Sequence, residues 1–219
     1  MNPSEHTYSV SLGLNLPDHL ERQRTYAIFG TRRGGTSMVA GVARALGLDL
    51  GDTGQKKNNE DPRFRPAPLP ELWAVVEQRN AEADVWGWKY PAGGRYITEL
   101  SGALRNPYFI VVYRDPVAVA KSQLARDAES KRRTERLALH EAASSIALNT
   151  GFVLASERPV LLVSNERAVK EPEGLIDDVA AFLGAPAPTD PLRAQILEYV
   201  EPGRYKSFAK FFPSAEPTG

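Results

Sequence analysis

The chain predicts a three-layer α/β/α domain around a central, mostly parallel sheet, and three observations predict it. Short apolar runs alternate with helix-period segments from residue 26 to residue 200. The run at 108–113, YFIVVY, is apolar throughout and rich in β-branched and aromatic residues, as a strand covered on both faces should be. Two of the strands lead directly into turn residues and a helix start, as strands of a parallel sheet do.

The elements follow in order. Residues 1–24 show a weak strand alternation at Tyr8, Val10 and Leu12 and then a polar approach from Asp18 to Arg24. They are expected to form an arm packed on the domain edge. Residues 26–29 are a strand, 30–35 (GTRRGG) a loop, and 36–46 a helix with Met38, Val39, Val42, Ala43 and Leu46 on one face. Gly47 suits the left-handed stop of that helix. Residues 48–70, rich in Gly, Pro, Asn and charge, are expected to be largely loop. A helix over 70–82 is expected to turn Leu72, Trp73, Val75 and Val76 inward. The strand VWGWK at 85–89 precedes a helix over 96–104. After the 108–113 strand, Asp115 suits a helix cap and Pro116 the first helical position. The predicted buried side of that helix is Val117, Val119, Ala120 and Leu124. The basic patch Lys131-Arg132-Arg133 reads as a solvated charge run that could also meet a polyanion. A long helix over 134–156, a strand at 160–163 and helices over 172–183 and 190–200 complete one domain spanning 25–212, with 213–219 as a flexible tail.

Composition narrows the function classes. Lys+Arg 27 against Asp+Glu 27 leaves no net charge, so nothing favours a nucleic-acid partner, and any anion site must come from local clustering. The chain has no cysteine, which excludes disulfides and thiolate metal sites and suits a reducing compartment. No run is long and apolar enough to span a membrane, and the first residues lack the pattern of a secretory signal. A cytoplasmic protein is expected.

The loop at 30–35 carries the chemistry. Glycines between a strand and a helix N-terminus aim backbone N–H groups at one point, where the helix dipole adds partial positive charge. Arg32 and Arg33 add full charges, so the site suits a phosphate or a sulfate. The spacing Gly30-x4-Gly35 followed by Thr36-Ser37 is P-loop-like, but the lysine that reaches the β- and γ-phosphates of a nucleoside triphosphate is absent. A kinase or NTPase therefore stands as an alternative reading, as does a non-catalytic nucleotide-binding module.

Together with RDPVAVAKS at 114–122, this loop resembles the sulfotransferases that use 3′-phosphoadenosine 5′-phosphosulfate (PAPS), the bacterial carbohydrate-type branch in particular. That family's loop has the form G-x-x-[RK]-[ST]-G-[ST]-[ST]. Here it reads Gly30-Thr31-Arg32-Arg33-Gly34-Gly35-Thr36-Ser37, with Gly34 where the family places a hydroxyl. The second motif is a strand ending in Arg with a Ser eight residues on, matched by Arg114 and Ser122. WGWKYP resembles the family's G-x-K-x-P segment, and VLLVSNERAVKEPEGLIDDVAAFLG its late strand–helix unit. The resemblance spans roughly residues 25 to 205.

The resemblance implies PAPS as co-substrate, no metal, and a hydroxyl-bearing acceptor, expected to be a carbohydrate. It implies that Arg32, Arg33, Gly34, Gly35, Thr36 and Ser37 hold the 5′-phosphosulfate, and that Arg114 and Ser122 hold the 3′-phosphate. Arg204 and Lys206 match the basic segment that closes over it. Arg33 is the candidate cation on the leaving-group side, and Lys89, at the end of a strand on the same sheet edge, is the second. None of His6, His19 and His140 lies in a matching segment. The loop Asn59-Glu60-Asp61-Pro62 resembles the place where bacterial members of the family carry a carboxylate base, which implies Glu60 in preference to Asp61, although Glu60-Asp61-Pro62 also reads as a turn with solvated acids. Trp73, Trp86 and Trp88 could stack on a sugar, with core packing expected for at least two of them.

Overall fold

The computed structural model describes residues 2–52, 58–127, 134–201 and 208–212. Five strands form one sheet: β1 (Ser11–Leu14), β2 (Arg24–Gly30), β3 (Val85–Lys89), β4 (Pro107–Tyr113) and β5 (Val160–Ser164), in the order β1-β5-β4-β2-β3. All neighbours are parallel except β1, which runs antiparallel to β5 with Leu12 opposite Leu162.

The side-chain alternation of the strands sorts the core into two layers. Tyr26, Ile28, Tyr108, Ile110, Val112, Leu161 and Val163 face one side, where α1 (Thr36–Ala45), α7 (Pro172–Leu183) and α8 (Asp190–Val200) cover them. Ala27, Phe29, Phe109, Val111 and Val160 face the other, under α2 (Leu69–Glu82), α3 (Ile97–Leu100) and the long α5 (Glu135–Ala155). The three-layer expectation holds. Helix α4 (Pro116–Arg126) packs on α5, α6 (Asn165–Lys170) follows β5 at once, and α9 (Phe208–Phe211) lies beyond α8.

The local signals act as the sequence suggests. Asp115 caps α4 by accepting from Ala118 N at 2.7 Å, with Pro116 next in line, and Gly47 follows α1 at a φ of 97°. The arm at the N-terminus, joined to the sheet through β1, is also tied to α7 by one carboxylate. Asp178 of α7, 1% exposed, accepts from the backbone N–H groups of Ser9, Val10 and Ser11, the Ser11 hydroxyl and His6 Nε2.

Three expectations are corrected. Trp73 is 43% exposed, because the side of α2 that faces the core is the stripe of Leu69, Leu72, Val75, Val76 and Arg79. Val117 is 50% exposed, because the buried stripe of α4 is Val119, Ala120 and Gln123. The helix expected over 96–104 is broken into α3 and a 3₁₀ turn at Ser101–Ala103. Tyr96 stays outside it, at a φ of −133°, while its hydroxyl donates to Phe64 O at 2.8 Å.

Candidate functional site

The strand order places the site. From β2 the chain moves to β3 on one side of it, and the next strand, β4, lies on the other. The carboxyl ends of β2 and β4 therefore flank the point where the sheet's connections diverge, which in open α/β sheets is where ligands bind. Helix α1 leaves β2 toward one face, and α4 with α5 leaves β4 toward the other.

The loop after β2 holds a tight turn, with Gly34 N donating to Thr31 O at 2.8 Å. Arg33 adopts the left-handed region at a φ of 68°, a conformation that non-glycine residues take at a cost of about 1 kcal/mol or more. Gly35 follows at a φ of 93° as the N-cap of α1, whose first turn receives no side-chain cap. The orphan N–H groups of that turn thus face the loop.

Arg33, Arg114 and Ser122 meet across this loop. Arg33 Nε donates to Ser122 Oγ at 3.1 Å, and an Arg114 guanidinium nitrogen donates to Arg33 O at 2.8 Å. Glu166 steadies the far side, accepting from Asp115 N at 3.0 Å with Arg114 Nε 4.0 Å away. The eight-residue spacing of Arg114 and Ser122 brings one cation from a strand end and one hydroxyl from the second turn of α4 to the same place.

Lys89, at the end of β3, is 1% exposed rather than solvated. Its Nζ donates to Ser37 Oγ at 3.0 Å, Asn58 O at 2.9 Å and Glu60 Oε1 at 2.8 Å. Burial pushes the Lys89 ammonium below its ordinary value, and the Glu60 carboxylate opposes that shift. Asp61 is committed elsewhere. It is 1% exposed, caps the 3₁₀ turn Pro62–Phe64 and pairs with Arg63 at 2.7 Å.

Solved structures share this architecture. The sulfotransferase domain of the Synechococcus PCC 7002 olefin synthase superposes with a TM-score of 0.51 at 18% identity, covering 93% of this chain and 92% of that one. The sulfotransferase domain of the curacin biosynthetic pathway gives 0.52 at 17% identity over 84% of this chain and 80% of its own. Sulfotransferase STF1 of Mycobacterium tuberculosis H37Rv gives 0.51 at 12% identity over 88% and 76%. The chain has a sulfotransferase-like fold. No protein-family model matches the sequence, and no curated protein does.

Within this sulfotransferase-like fold the predicted residues divide into groups. Arg33, Gly34, Gly35, Thr36, Ser37, Arg114 and Ser122 surround the loop, and Lys89 and Glu60 pair beside Ser37. Arg32 points its exposed side chain into the wall of a neighbouring cleft. Arg204 and Lys206 lie outside the described residues, as do Lys131, Arg132, Arg133 and the 213–219 tail. Trp86 and Trp88 stack with Phe64 in the core. Among the described residues no group of three His, Asp or Glu side chains stands close enough to hold a metal, and no helix is long and apolar enough to cross a membrane.

The sequence reading missed three supporting side chains. Asn59, at a φ of 55°, donates to Ser37 O at 3.1 Å, and the Tyr199 hydroxyl donates to the same oxygen at 3.2 Å. Asn165 packs so closely on Gly35 that a Cβ there would collide with its amide. The only sequence signal was weak. The Asn58-Asn59 pair marks a turn.

Proposed function

We propose that the protein transfers a sulfuryl group from PAPS to a hydroxyl of a carbohydrate or glycoconjugate acceptor. The observation that carries this reading is the convergence of Arg33, Arg114 and Ser122 at the switch point of a sulfotransferase-like fold. The residues suit a donor with anionic groups at both its 5′ and 3′ ends. The uncapped first turn of α1 and Arg33 would hold the 5′ end, and Arg114 and Ser122 the 3′-phosphate. Gly35, with no Cβ, lets the Asn165 amide pack against the start of α1.

When bound, the donor supplies an activated sulfuryl group. The acceptor oxygen forms a new S–O bond as the bond to the 5′-phosphate breaks, the electron pair stays with the phosphate, and the hydroxyl proton passes to a base. Arg33 stabilises charge on the leaving side, and Lys89 adds a second cation from the strand edge. Glu60, tethered by Lys89, is the proposed base. Arg204 and Lys206 are assigned to the 3′-phosphate by resemblance. No metal is needed if these cations neutralise the donor. A cytoplasmic setting belongs to the same reading, as suits a chain without cysteine.

The test is nucleotide binding. Adenosine 3′,5′-bisphosphate should raise the melting temperature in a concentration-dependent way, and Mg-ATP should not, since the loop lacks the triphosphate lysine. Absence of any shift with the bisphosphate would overturn the reading.

A further inference from the structure

A cleft of about 210 Å³ opens beside the anion loop, on the α5 side. It shares Thr31 and Arg32 with the loop and Gln123 with the residue after Ser122. Its other walls are Ala92, Gly94 and Arg95 beyond the end of β3, and the α5 face that carries His140, Glu141, Ser144 and Asn149. The Gly30 N–H donates to Pro91 O at 3.0 Å, which fixes the two loops against each other.

The polar groups of this cleft are set up for a ligand. Thr31 is 2% exposed and its Oγ1 has no hydrogen-bond partner among the described residues. Asn149, also 2% exposed, lines the cleft and sits against Gly94 so tightly that a Cβ there would strike its Oδ1. Buried polar groups are normally paired, so the Thr31 hydroxyl lining this cleft points to a partner that the described residues do not supply. Arg32 and Arg95 are both exposed at the rim and pair with nothing among the described residues. Two guanidinium groups against the single carboxylate of Glu141 leave the cleft positive.

We propose that this cleft holds the acceptor and selects a small polyol that carries an anionic group. Arg32 and Arg95 pair with the anion, and Thr31 and Asn149 hydrogen-bond the hydroxyls. The inference rests on the sulfuryl-transfer reading and adds the acceptor's chemical class to it. Size supports a monosaccharide-scale ligand, since pockets for drug-sized molecules run about 300–1,000 Å³. The polar and charged side chains of the wall, Thr31, Arg32, Arg95, Gln123, Ser144 and Asn149, suit a hydroxyl-bearing anion. Arg32 thereby acts on the acceptor rather than on the donor.

The experiment is a chemical-shift titration of the protein saturated with adenosine 3′,5′-bisphosphate, using D-glucuronate, glucose 6-phosphate and glucose as probes. The anionic sugars should shift the resonances of Thr31, Gly94, Asn149 and the Arg32 and Arg95 side chains, binding at least about tenfold tighter than glucose. Arg95→Glu should remove that preference, and added salt should weaken it. If the bisphosphate binds but the anionic sugars shift nothing there, or bind no tighter than glucose, the acceptor inference is overturned. If the bisphosphate itself does not bind, the donor reading fails first, and the two failures are told apart.

Discussion

Lys89 Nζ donates to Glu60 Oε1 over 2.8 Å, the shortest of three hydrogen bonds that occupy all three of its protons. A lysine so buried has a depressed affinity for its proton. The folded chain therefore releases that proton at lower pH than the unfolded chain does, which keeps it until the ordinary lysine value of 10.5. Two consequences have opposite signs. Stability gains a contribution as pH rises through this window below 10.5, and loses it as pH falls. Activity that needs the Lys89 cation falls as pH rises through the folded-state value. The alkaline limb of the kcat profile should lie below 10.5, and Lys89→Arg, which keeps its charge, should abolish that limb. An alkaline limb unmoved by Lys89→Arg would remove Lys89 from the chemistry.

Arg114 and Ser122 make a second prediction, because they meet at Arg33 from different elements. Loss of a hydrogen bond to a charged group costs about 1.5–3 kcal/mol. Ser122→Ala should therefore weaken adenosine 3′,5′-bisphosphate binding by about 10- to 100-fold, and Arg114→Ala by at least as much. Calorimetric titration reads both directly. Affinity unchanged in both variants would mean that the 3′-phosphate sits elsewhere.

What the sequence made legible was the framework of this site, for a physical reason. Strands covered on both faces must be continuously apolar, and caps and left-handed glycines are local requirements, so β4, Asp115 and Gly47 could be read from a few residues each. Lys89 could not be read so. Its burial depends on Asn58 and Glu60, 31 and 29 residues earlier in the chain. Arg79 is a second case. It is 5% exposed and lies over Trp86, with Asp49 and Glu82 as its ion partners, so a charge fills the place that periodicity would give an apolar residue. The exposed Trp73 and Val117 failed for the complementary reason, since helical period fixes a stripe only once the covering layer is known.

Asp178 carries a stability prediction separate from the site. Its carboxylate satisfies three consecutive backbone N–H groups of the N-terminal arm. Asp178→Ala leaves them without that acceptor, at about 1–3 kcal/mol for each that stays buried. We expect a loss of about 3 kcal/mol in urea unfolding and a fall in Tm of roughly 6–12 °C for a chain of this size. His6→Ala should cost far less, since it removes one donor at the edge. A change within about 0.5 kcal/mol for Asp178→Ala would mean that the arm contributes little to the fold.

Gly34 tests how far the family pattern governs this loop. The resembling sequences carry a hydroxyl residue there, so Gly34→Ser looks like a repair. The geometry argues otherwise. A Cβ on Gly34 would lie 2.6 Å from Thr31 O, the carbonyl that accepts the Gly34 N–H and closes the turn. Backbone cannot swing aside as a side chain can, so the loop would have to open and carry Arg33 away from Ser122. Forced repacking of this kind costs about 1–3 kcal/mol. Gly34→Ser should therefore lower Tm and weaken adenosine 3′,5′-bisphosphate binding by about tenfold. Tighter binding in Gly34→Ser would instead identify the missing hydroxyl as a lost phosphate contact and make this loop a weakened version of the family's.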